Sequence, residues 1–233
     1  ACTADAQCGE RADSIALCAA AGSCVRKPEA IFVDNRMPAQ CPSGDGSEGA
    51  PLCQIGAAVG RIKGGASTAR VVVIAPGTYD PFAVDTDGPL TVLGSGMLGS
   101  APTVVMGANA TAGIWIKQGT DDPVEIRGLK VTTTGMTPRG IYCEVRSCQL
   151  REVWVTLNPR IGIDASGAGR LGLFRSIVDD NPEGGVYVHA GRSFEIVNNF
   201  IYRNGALAAG SPYGVRLDPS VDPRVFRNNT LLD

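Results

Sequence analysis

The fold is decided by five segments that repeat one pattern: Ile126-Arg-Gly-Leu-Lys-Val131, Leu150-Arg-Glu-Val-Trp-Val155, Leu173-Phe-Arg-Ser-Ile-Val178, Ile196-Val-Asn-Asn-Phe-Ile201 and Phe226-Arg-Asn-Asn-Thr-Leu231. Each segment begins and ends on an apolar residue and has a corner in its middle. Successive segments start 24, 23, 23 and 30 residues apart. A period in this range is typical of a solenoid, in which each unit hides its apolar face against its neighbours.

A second ladder runs in step with the first and consists of Gly113-Ile-Trp-Ile116, Gly140-Ile-Tyr-Cys143, Gly162-Ile-Asp-Ala165, Gly185-Val-Tyr-Val188 and Gly214-Val-Arg-Leu217. Apolar residues alternate with variable ones, which indicates a strand with one buried side. The Gly that opens each copy predicts a sharp corner where the backbone has positive φ. At ~3.3 Å per residue, one unit has a perimeter of roughly 75 Å, enough for three short strands and three bends. The sequence therefore predicts an all-β solenoid with three strands per coil and a repeat of about 23 residues.

Further segments carry a resemblance to a known family. The pairs Asn198-Asn199 and Asn228-Asn229 each lie between apolar residues, and upstream stand Arg70-Val-Val-Val-Ile-Ala-Pro-Gly-Thr-Tyr79 and Leu90-Thr-Val-Leu-Gly-Ser-Gly96. With these features the chain, from about residue 31 to residue 233, resembles bacterial members of the right-handed parallel β-helix superfamily, the pectin-lyase-like fold. The resemblance implies right-handed coils and asparagine side chains stacked at one corner. It leaves the activity open, because this fold hosts lyases, hydrolases, adhesins and non-catalytic binders.

The chain has eight cysteines, an even number that falls in close pairs. This spacing favours disulfides, an oxidising compartment and hence a secreted or bacterial cell-surface location. Cys41 with Cys53 and Cys143 with Cys148 are the expected local pairs, whereas the first four cysteines allow three connectivities. Metal binding is an alternative, although no Cys-x-x-Cys occurs, and a lipid anchor on Cys2 would leave one cysteine unpaired. The expected disulfide residues are Cys2, Cys8, Cys18, Cys24, Cys41, Cys53, Cys143 and Cys148.

The chain is expected to form a cysteine-rich module over residues 1–28 and the β-helix over residues 29–233. A short helix is predicted at about residues 52–63, where it would lie across the first coil and cover its unpaired strand edges. The C-terminal end, from Phe226 to Leu231, shows no such cap, which predicts that the natural chain continues or that this end docks on another chain. The apolar face of the helix is made by Leu52, Ile55, Val59 and Ile62.

Composition excludes several function classes. The formal net charge is −2, so no basic field favours nucleic acid. No apolar stretch reaches about 18 residues, so no membrane span is expected. The 233 residues, 44% of them hydrophobic, are enough to bury one sizeable core.

The Gly-Ile ladder also predicts a binding surface. The residue after each Ile or Val should point outward, and the residue two positions further should form a second column on the same face. Aromatic rings beside carboxylates and an arginine suit sugar binding, because rings stack on pyranose faces and charged groups bind hydroxyls and uronates. The alternative is a solvated sheet face held by cross-strand pairs. The columns are Trp115, Tyr142, Asp164, Tyr187 and Arg216, and then Lys117, Glu144, Ser166, His189 and Asp218.

The first functional hypothesis is a non-catalytic extracellular β-helix that needs no cofactor or metal. It would bind a polysaccharide, a cell-surface glycan or a protein partner at the open C-terminal end, or serve as a rigid spacer. A long insertion at residues 203–213 would form one wall of a cleft beside the binding face. The expected binding residues are Trp115, Tyr142, Asp164, Tyr187, His189, Arg216 and Asp218.

The second hypothesis is a polysaccharide lyase or glycoside hydrolase that acts on a uronate-containing polysaccharide at the same face. The family resemblance implies an Arg or Lys base for a lyase, often with calcium, and the catalytic candidates are Arg216, Asp164 and His189. Calcium enters only under this alternative. Asp179, Asp180 and Asn181 are predicted to form a polar turn.

Overall fold

The computed structural model describes residues 8, 14–18, 24–36, 43–99, 101–107, 111–117, 122–135, 138–144, 147–206, 213–219 and 221–232. These residues form a parallel β-solenoid with three strands per coil and one short α-helix. The prediction of an all-β solenoid is therefore confirmed.

The α-helix, α1, spans Ile55–Lys63, and a 3-10 turn spans Lys27–Glu29. In chain order the strands are β1 (Ser14–Cys18), β2 (Cys24–Arg26), β3 (Ala30–Val33), β4 (Val71–Ile74), β5 (Gly77–Tyr79), β6 (Phe82–Val84), β7 (Leu90–Leu93), β8 (Thr103–Gly107), β9 (Ala112–Ile116), β10 (Val124–Arg127), β11 (Lys130–Thr133), β12 (Arg139–Cys143), β13 (Cys148–Arg151), β14 (Trp154–Thr156), β15 (Ile161–Ala165), β16 (Arg170–Phe174), β17 (Ile177–Asp179), β18 (Gly184–Val188), β19 (Ser193–Val197), β20 (Phe200–Tyr202), β21 (Val215–Leu217), β22 (Arg224–Arg227) and β23 (Thr230–Leu232).

The strands of successive coils stack into three parallel sheets. Sheet 1 contains β3, β4, β7, β10, β13, β16, β19 and β22 in spatial order. Sheet 2 contains β5, β8, β11, β14, β17, β20 and β23, and sheet 3 contains β6, β9, β12, β15, β18 and β21. From β4 onward the chain visits sheets 1, 2 and 3 in turn, so each coil contributes one strand to each sheet.

The inward column of sheet 1 has the register that the repeats predict. Ile126 pairs with Leu150, Leu150 with Leu173, Leu173 with Ile196, and Ile196 with Phe226. The first four side chains are fully buried, whereas Phe226, in the last described strand of this sheet, is 40% exposed. Because each buried side chain of this size contributes about 1.5–3 kcal/mol, this column is a main source of stability.

From β10 onward, the corners between sheets 1 and 2 and between sheets 2 and 3 each place one residue in the left-handed region. Asn198 and Asn228, with φ of 60° and 54°, form the corner between sheets 1 and 2, and asparagine tolerates this conformation better than most residues. The Gly residues that open the Gly-Ile copies do not have positive φ, so that expectation is wrong. Four of the five, all but Gly214, are needed for space instead. A Cβ on Gly162, for example, would lie 2.7 Å from Nδ2 of Asn181 and 2.9 Å from the carbonyl oxygen of Gly185.

One asparagine ladder lies where the sequence predicts it. Nδ2 of Asn199 donates to Oδ1 of Asn229 at 2.9 Å, and the same oxygen of Asn229 accepts the backbone N–H of Asn199. Oδ1 of Asn199 in turn accepts the backbone N–H of Ser176 at 2.9 Å. The side chains thus satisfy backbone groups that the corner would otherwise leave unpaired inside the core.

A second ladder lies at the corner between sheets 2 and 3 and was not predicted. Nδ2 of Asn158 donates to Oδ1 of Asn181, and Nδ2 of Asn181 donates to Oδ1 of Asn204, both at 2.9 Å. Asn181 lies at the corner after β17, where a polar turn was predicted, and its side chain is fully buried. Asp179 is also buried, and its carboxylate accepts the indole N–H of Trp154 at 2.6 Å.

The helix α1 caps the first coil, as expected, but it begins three residues later than predicted. Leu52 is not helical because its backbone N–H donates to the carbonyl of Phe32, and its carbonyl accepts the N–H of Asp34. The helix packs against β3, β4 and β6. Its buried apolar side chains are Ile55, Ala58, Val59 and Ile62.

The N-terminal strands β1 and β2 pair in antiparallel orientation and pack on the outside of sheet 1. Leu17 and Val25 form a small apolar cluster there with Ala30 and Val71. No helix in the described part of the chain is long and apolar enough to cross a membrane.

Disulfides are present, as the cysteine spacing predicts. Cys143 and Cys148 form the expected local bridge, and Cys8 pairs with Cys24, which the sequence left as one of three options. Cys53 is also disulfide-bonded. Its expected partner, Cys41, and Cys2 lie outside the described residues, and so does the side chain of Cys18, of which only the backbone is described.

Candidate functional site

Sheet 3 carries both predicted columns on its outer surface. The first column is in register, since Trp115 pairs with Tyr142, Tyr142 with Asp164, Asp164 with Tyr187, and Tyr187 with Arg216. The second column follows at the strand ends, where each backbone N–H donates to the preceding coil. We call this surface the sheet 3 face, and it comprises Trp115, Lys117, Arg139, Tyr142, Glu144, Asp164, Ser166, Tyr187, His189, Tyr213, Arg216 and Asp218.

Asp164 lies at the centre of the sheet 3 face and is only 3% exposed. Nε of Arg139 donates to Oδ2 of Asp164 from the preceding coil. Nε2 of His189, from the following coil, lies 2.8 Å from Oδ1 of Asp164. Both carboxylate oxygens are therefore engaged, and three coils are tied together at one point.

Aromatic and charged groups surround Tyr187 above this centre. The ring of His189 stacks on it with centroids 3.8 Å apart, and Tyr213 meets it edge-on at 5.9 Å. The Tyr187 hydroxyl donates to Oδ2 of Asp218 at 2.7 Å, which raises the pKa of Tyr187 and lowers that of Asp218. The guanidinium of Arg216 lies 4.6 Å from the Tyr187 centroid, and its Nε lies 3.2 Å from Oδ1 of Asp218.

The lower part of the face repeats the same combination of groups. Trp115 and Tyr142 are stacked with centroids 6.3 Å apart. Nε1 of Trp115 donates to Glu144 at 3.0 Å, while the Lys117 ammonium lies 4.3 Å from the Trp115 ring. The guanidinium of Arg139 lies 4.6 Å from the Tyr142 centroid. Each ring thus contacts a cation and also a residue of a neighbouring coil.

Arg192 lies beneath the face and is fully buried. Its guanidinium donates to the carbonyls of Ser166 and Cys143, and it packs beside the sulfur of Cys148. Burial lowers the pKa of Arg192 to about 10, although the nearby Asp164 carboxylate opposes this shift. The local disulfide and Arg192 together support the strand ends from which the second column projects.

Sequence reasoning missed Arg139 and Tyr213. Both occupy the position before the ladder Gly, where the five copies share no pattern. Tyr213 can lie against the backbone at Gly184 because glycine has no side chain. A Cβ at this position would collide with the Tyr213 ring. The strand period gave no signal for them, because strict alternation places a residue two positions before the inward Ile or Val on the inner face.

The face does not bring Asp164 and Asp218 together. Asp164 and Asp218 lie two coils apart, with Tyr187 on the coil between them. Within the described ranges, no group of three or more His, Cys, Asp or Glu side chains could hold a metal ion. The contacts observed here are hydrogen bonds, ion pairs and ring contacts.

The chain matches no family model, no curated protein and no solved structure. Its function must therefore be argued from the sheet 3 face. That face joins aromatic rings with fixed hydrogen-bonding groups along the solenoid axis, with coils spaced at ~4.8 Å.

Proposed function

We propose that this chain is a secreted or cell-surface protein that binds a glycan along the sheet 3 face without catalysing a reaction. The observation that carries the proposal is the row of aromatic rings along the sheet 3 face, which Asp164 ties together at its centre between Arg139 and His189. Within this proposal the chain is a bacterial member of the right-handed, pectin-lyase-like superfamily.

The face is suited to binding because its polar groups are already fixed. Asp164, Tyr187 and Asp218 each keep their hydrogen-bond partners within the protein. Groups that are ordered before a ligand arrives lose less conformational freedom on binding. The ring of Tyr187 is contacted by both His189 and Arg216. We therefore expect a sugar to form hydrogen bonds with the polar groups around Tyr187 more than to stack on the face of its ring.

Location outside the cytoplasm is supported by the disulfides. The bridges Cys8–Cys24 and Cys143–Cys148 lie in different parts of the chain, and Cys53 is bonded as well. Disulfides of this kind persist in oxidising compartments. Extracellular glycans are the ligands that such a protein would meet.

The enzymatic alternative receives less support from the same geometry. A catalytic base must lose its proton readily near the working pH, whereas the hydrogen bond to Asp218 raises the pKa of Arg216 further above its usual value. Asp164 is buried and already accepts two hydrogen bonds, so its oxygens are poorly placed to reach a substrate.

The two tryptophans provide a matched test. Trp115 lies on the sheet 3 face under Lys117 and donates to Glu144, while Trp154 lies on sheet 2 under Lys130 and donates to a carboxylate in the same way. Binding to an array of plant, algal and bacterial polysaccharides should fall at least about tenfold in Trp115→Ala. Trp154→Ala should bind as the parent does. Equal loss in both variants, or no binding by the parent protein, would contradict the proposal.

The lyase alternative is tested on uronate-containing polysaccharides by the absorbance of unsaturated uronates. We expect no product from the parent protein, with or without added calcium. Activity that disappears in Arg216→Ala while binding remains would favour the enzyme instead.

A further inference from the structure

The cations of the sheet 3 face are already occupied by groups of the protein. Arg139 is paired with Asp164, and Arg216 with Asp218. Lys117 lies against the ring of Trp115. In the described part of this face the three cations are therefore balanced by three carboxylates, those of Glu144, Asp164 and Asp218.

A ligand carboxylate at Arg139 would compete with Asp164 for the guanidinium. The Asp164 side chain is 4% exposed, so it would remain buried after losing its partner. A buried charge without its partner is strongly unfavourable. Arg192 adds a positive charge below the face, but it is fully buried and its guanidinium donates to backbone carbonyls. It supplies no contact that an anion could reach.

The carboxylates of this face keep hydrogen-bond acceptors for a ligand. An ionised carboxylate has two oxygens and about four lone-pair sites. Asp218 uses some of these for Tyr187 and Arg216, and Glu144 accepts the indole N–H of Trp115. The remaining acceptor capacity suits the hydroxyl groups of a sugar, because hydrogen bonds from hydroxyls to carboxylates are short and strong.

We infer that the ligand is a neutral polysaccharide built from hydroxyl-rich sugars, and that the face discriminates against uronate polymers. This inference rests on the proposed glycan binding and names the class of glycan. It departs from the expectation that the charged groups of this face bind uronates. The physical reason is that each arginine of the described face already has a carboxylate partner.

The first experiment compares neutral polymers with uronate polymers. Immobilised galactomannan, arabinoxylan and β-glucan are set against polygalacturonate and alginate, at about 20 mM and 500 mM NaCl. We expect binding to at least one neutral polymer, with less than about a twofold change in affinity between the two salt concentrations, because exposed charge pairs are screened by salt and neutral ligands are not. Uronate polymers should bind at least about tenfold more weakly.

The outcomes separate the two proposals. Preferential, salt-sensitive binding of polygalacturonate or alginate would overturn the neutral-ligand inference and leave glycan binding intact. Absence of binding to either class would overturn both.

A charge variant tests the mechanism of discrimination. Asp218→Asn removes the partner of Arg216, so it should weaken neutral-glycan binding and raise affinity for polygalacturonate at least about fivefold at low salt. The control is Glu195→Gln on sheet 1, because Glu195 pairs with Arg170 and its side chain is 26% exposed, against 25% for Asp218. The control should leave both affinities unchanged. If Asp218→Asn gains no affinity for polygalacturonate, masking by Asp218 is not the cause of selectivity and the inference fails.

Discussion

His189 and Asp164 lie on adjacent coils with Nε2 of the first 2.8 Å from Oδ1 of the second, although 25 residues separate them in sequence. Arg139 approaches the other oxygen from the opposite coil. A single carboxylate therefore joins three coils at the sheet 3 face. Its removal should lower both the stability of the protein and its affinity for a ligand.

Asp164→Ala should lower the free energy of unfolding by about 2–3 kcal/mol, because it removes the buried carboxylate that the partly exposed side chains of Arg139 and His189 both contact. The control is Glu183→Ala, whose exposed pair with Arg160 should contribute at most about 1 kcal/mol. Urea unfolding monitored by circular dichroism measures both. Equal midpoints for the two variants would show that Asp164 is not a structural tie.

Asn181→Ala should be among the most destabilising single changes, at about 2–4 kcal/mol. Its side chain donates to Asn204 and to the carbonyl of Val155, and accepts from Asn158. Removing it leaves several buried polar groups unsatisfied. The control Asn198→Gly, at an exposed position with φ of 60°, should change stability by less than about 1 kcal/mol. A mild effect of Asn181→Ala would contradict the ladder's importance.

Substitution of a ladder glycine by alanine should cost more stability where the space around the glycine is smaller. Gly162→Ala places a methyl group 2.7 Å from the amide of Asn181, which should cost about 1–3 kcal/mol. Gly214→Ala meets only Ile201 at 3.9 Å, so it should be nearly neutral. Thermal unfolding of the two variants side by side tests this contrast, and a neutral Gly162→Ala would show that the coil relaxes to accept the methyl group.

Stability should fall at high pH in part because of Tyr213. Burial raises the pKa of Tyr213 from 10 to about 12. Between these values the folded state keeps the proton and the unfolded state has lost it, so the contribution to stability is complete below pH 10 and is lost as the pH rises toward 12. Tyr213→Phe should show a shallower decline of the urea midpoint between about pH 9 and 11.5. Identical slopes would contradict the assigned burial.

Much of the scaffold could be predicted because its stacking follows a simple spacing rule. The column from Ile126 to Phe226 and the Asn199–Asn229 contact follow from residues that recur once per coil. The local Cys143–Cys148 bridge follows instead from two cysteines that flank a single turn. The outward columns could also be predicted, because successive side chains of a strand point to opposite faces of the sheet.

The missed features depend on local context more than on a repeated motif. Asn158, Asn181 and Asn204 recur every 23 residues, yet their neighbours differ, so the spacing alone carried the signal. Arg139 and Tyr213 stand in a position without a shared residue type. Their roles arise from side chains that reach across coils, which no single strand encodes.

Both asparagine ladders run in one direction. Each amide nitrogen donates toward the later coil, from Asn158 to Asn181, from Asn181 to Asn204, and from Asn199 to Asn229. The amide dipoles therefore align head to tail, and hydrogen bonds in such chains strengthen one another. This polarity limits how such a scaffold can lengthen during evolution. Duplication of a whole coil keeps both ladders unbroken, whereas a partial duplication would leave an asparagine at the junction facing a different residue on the next coil.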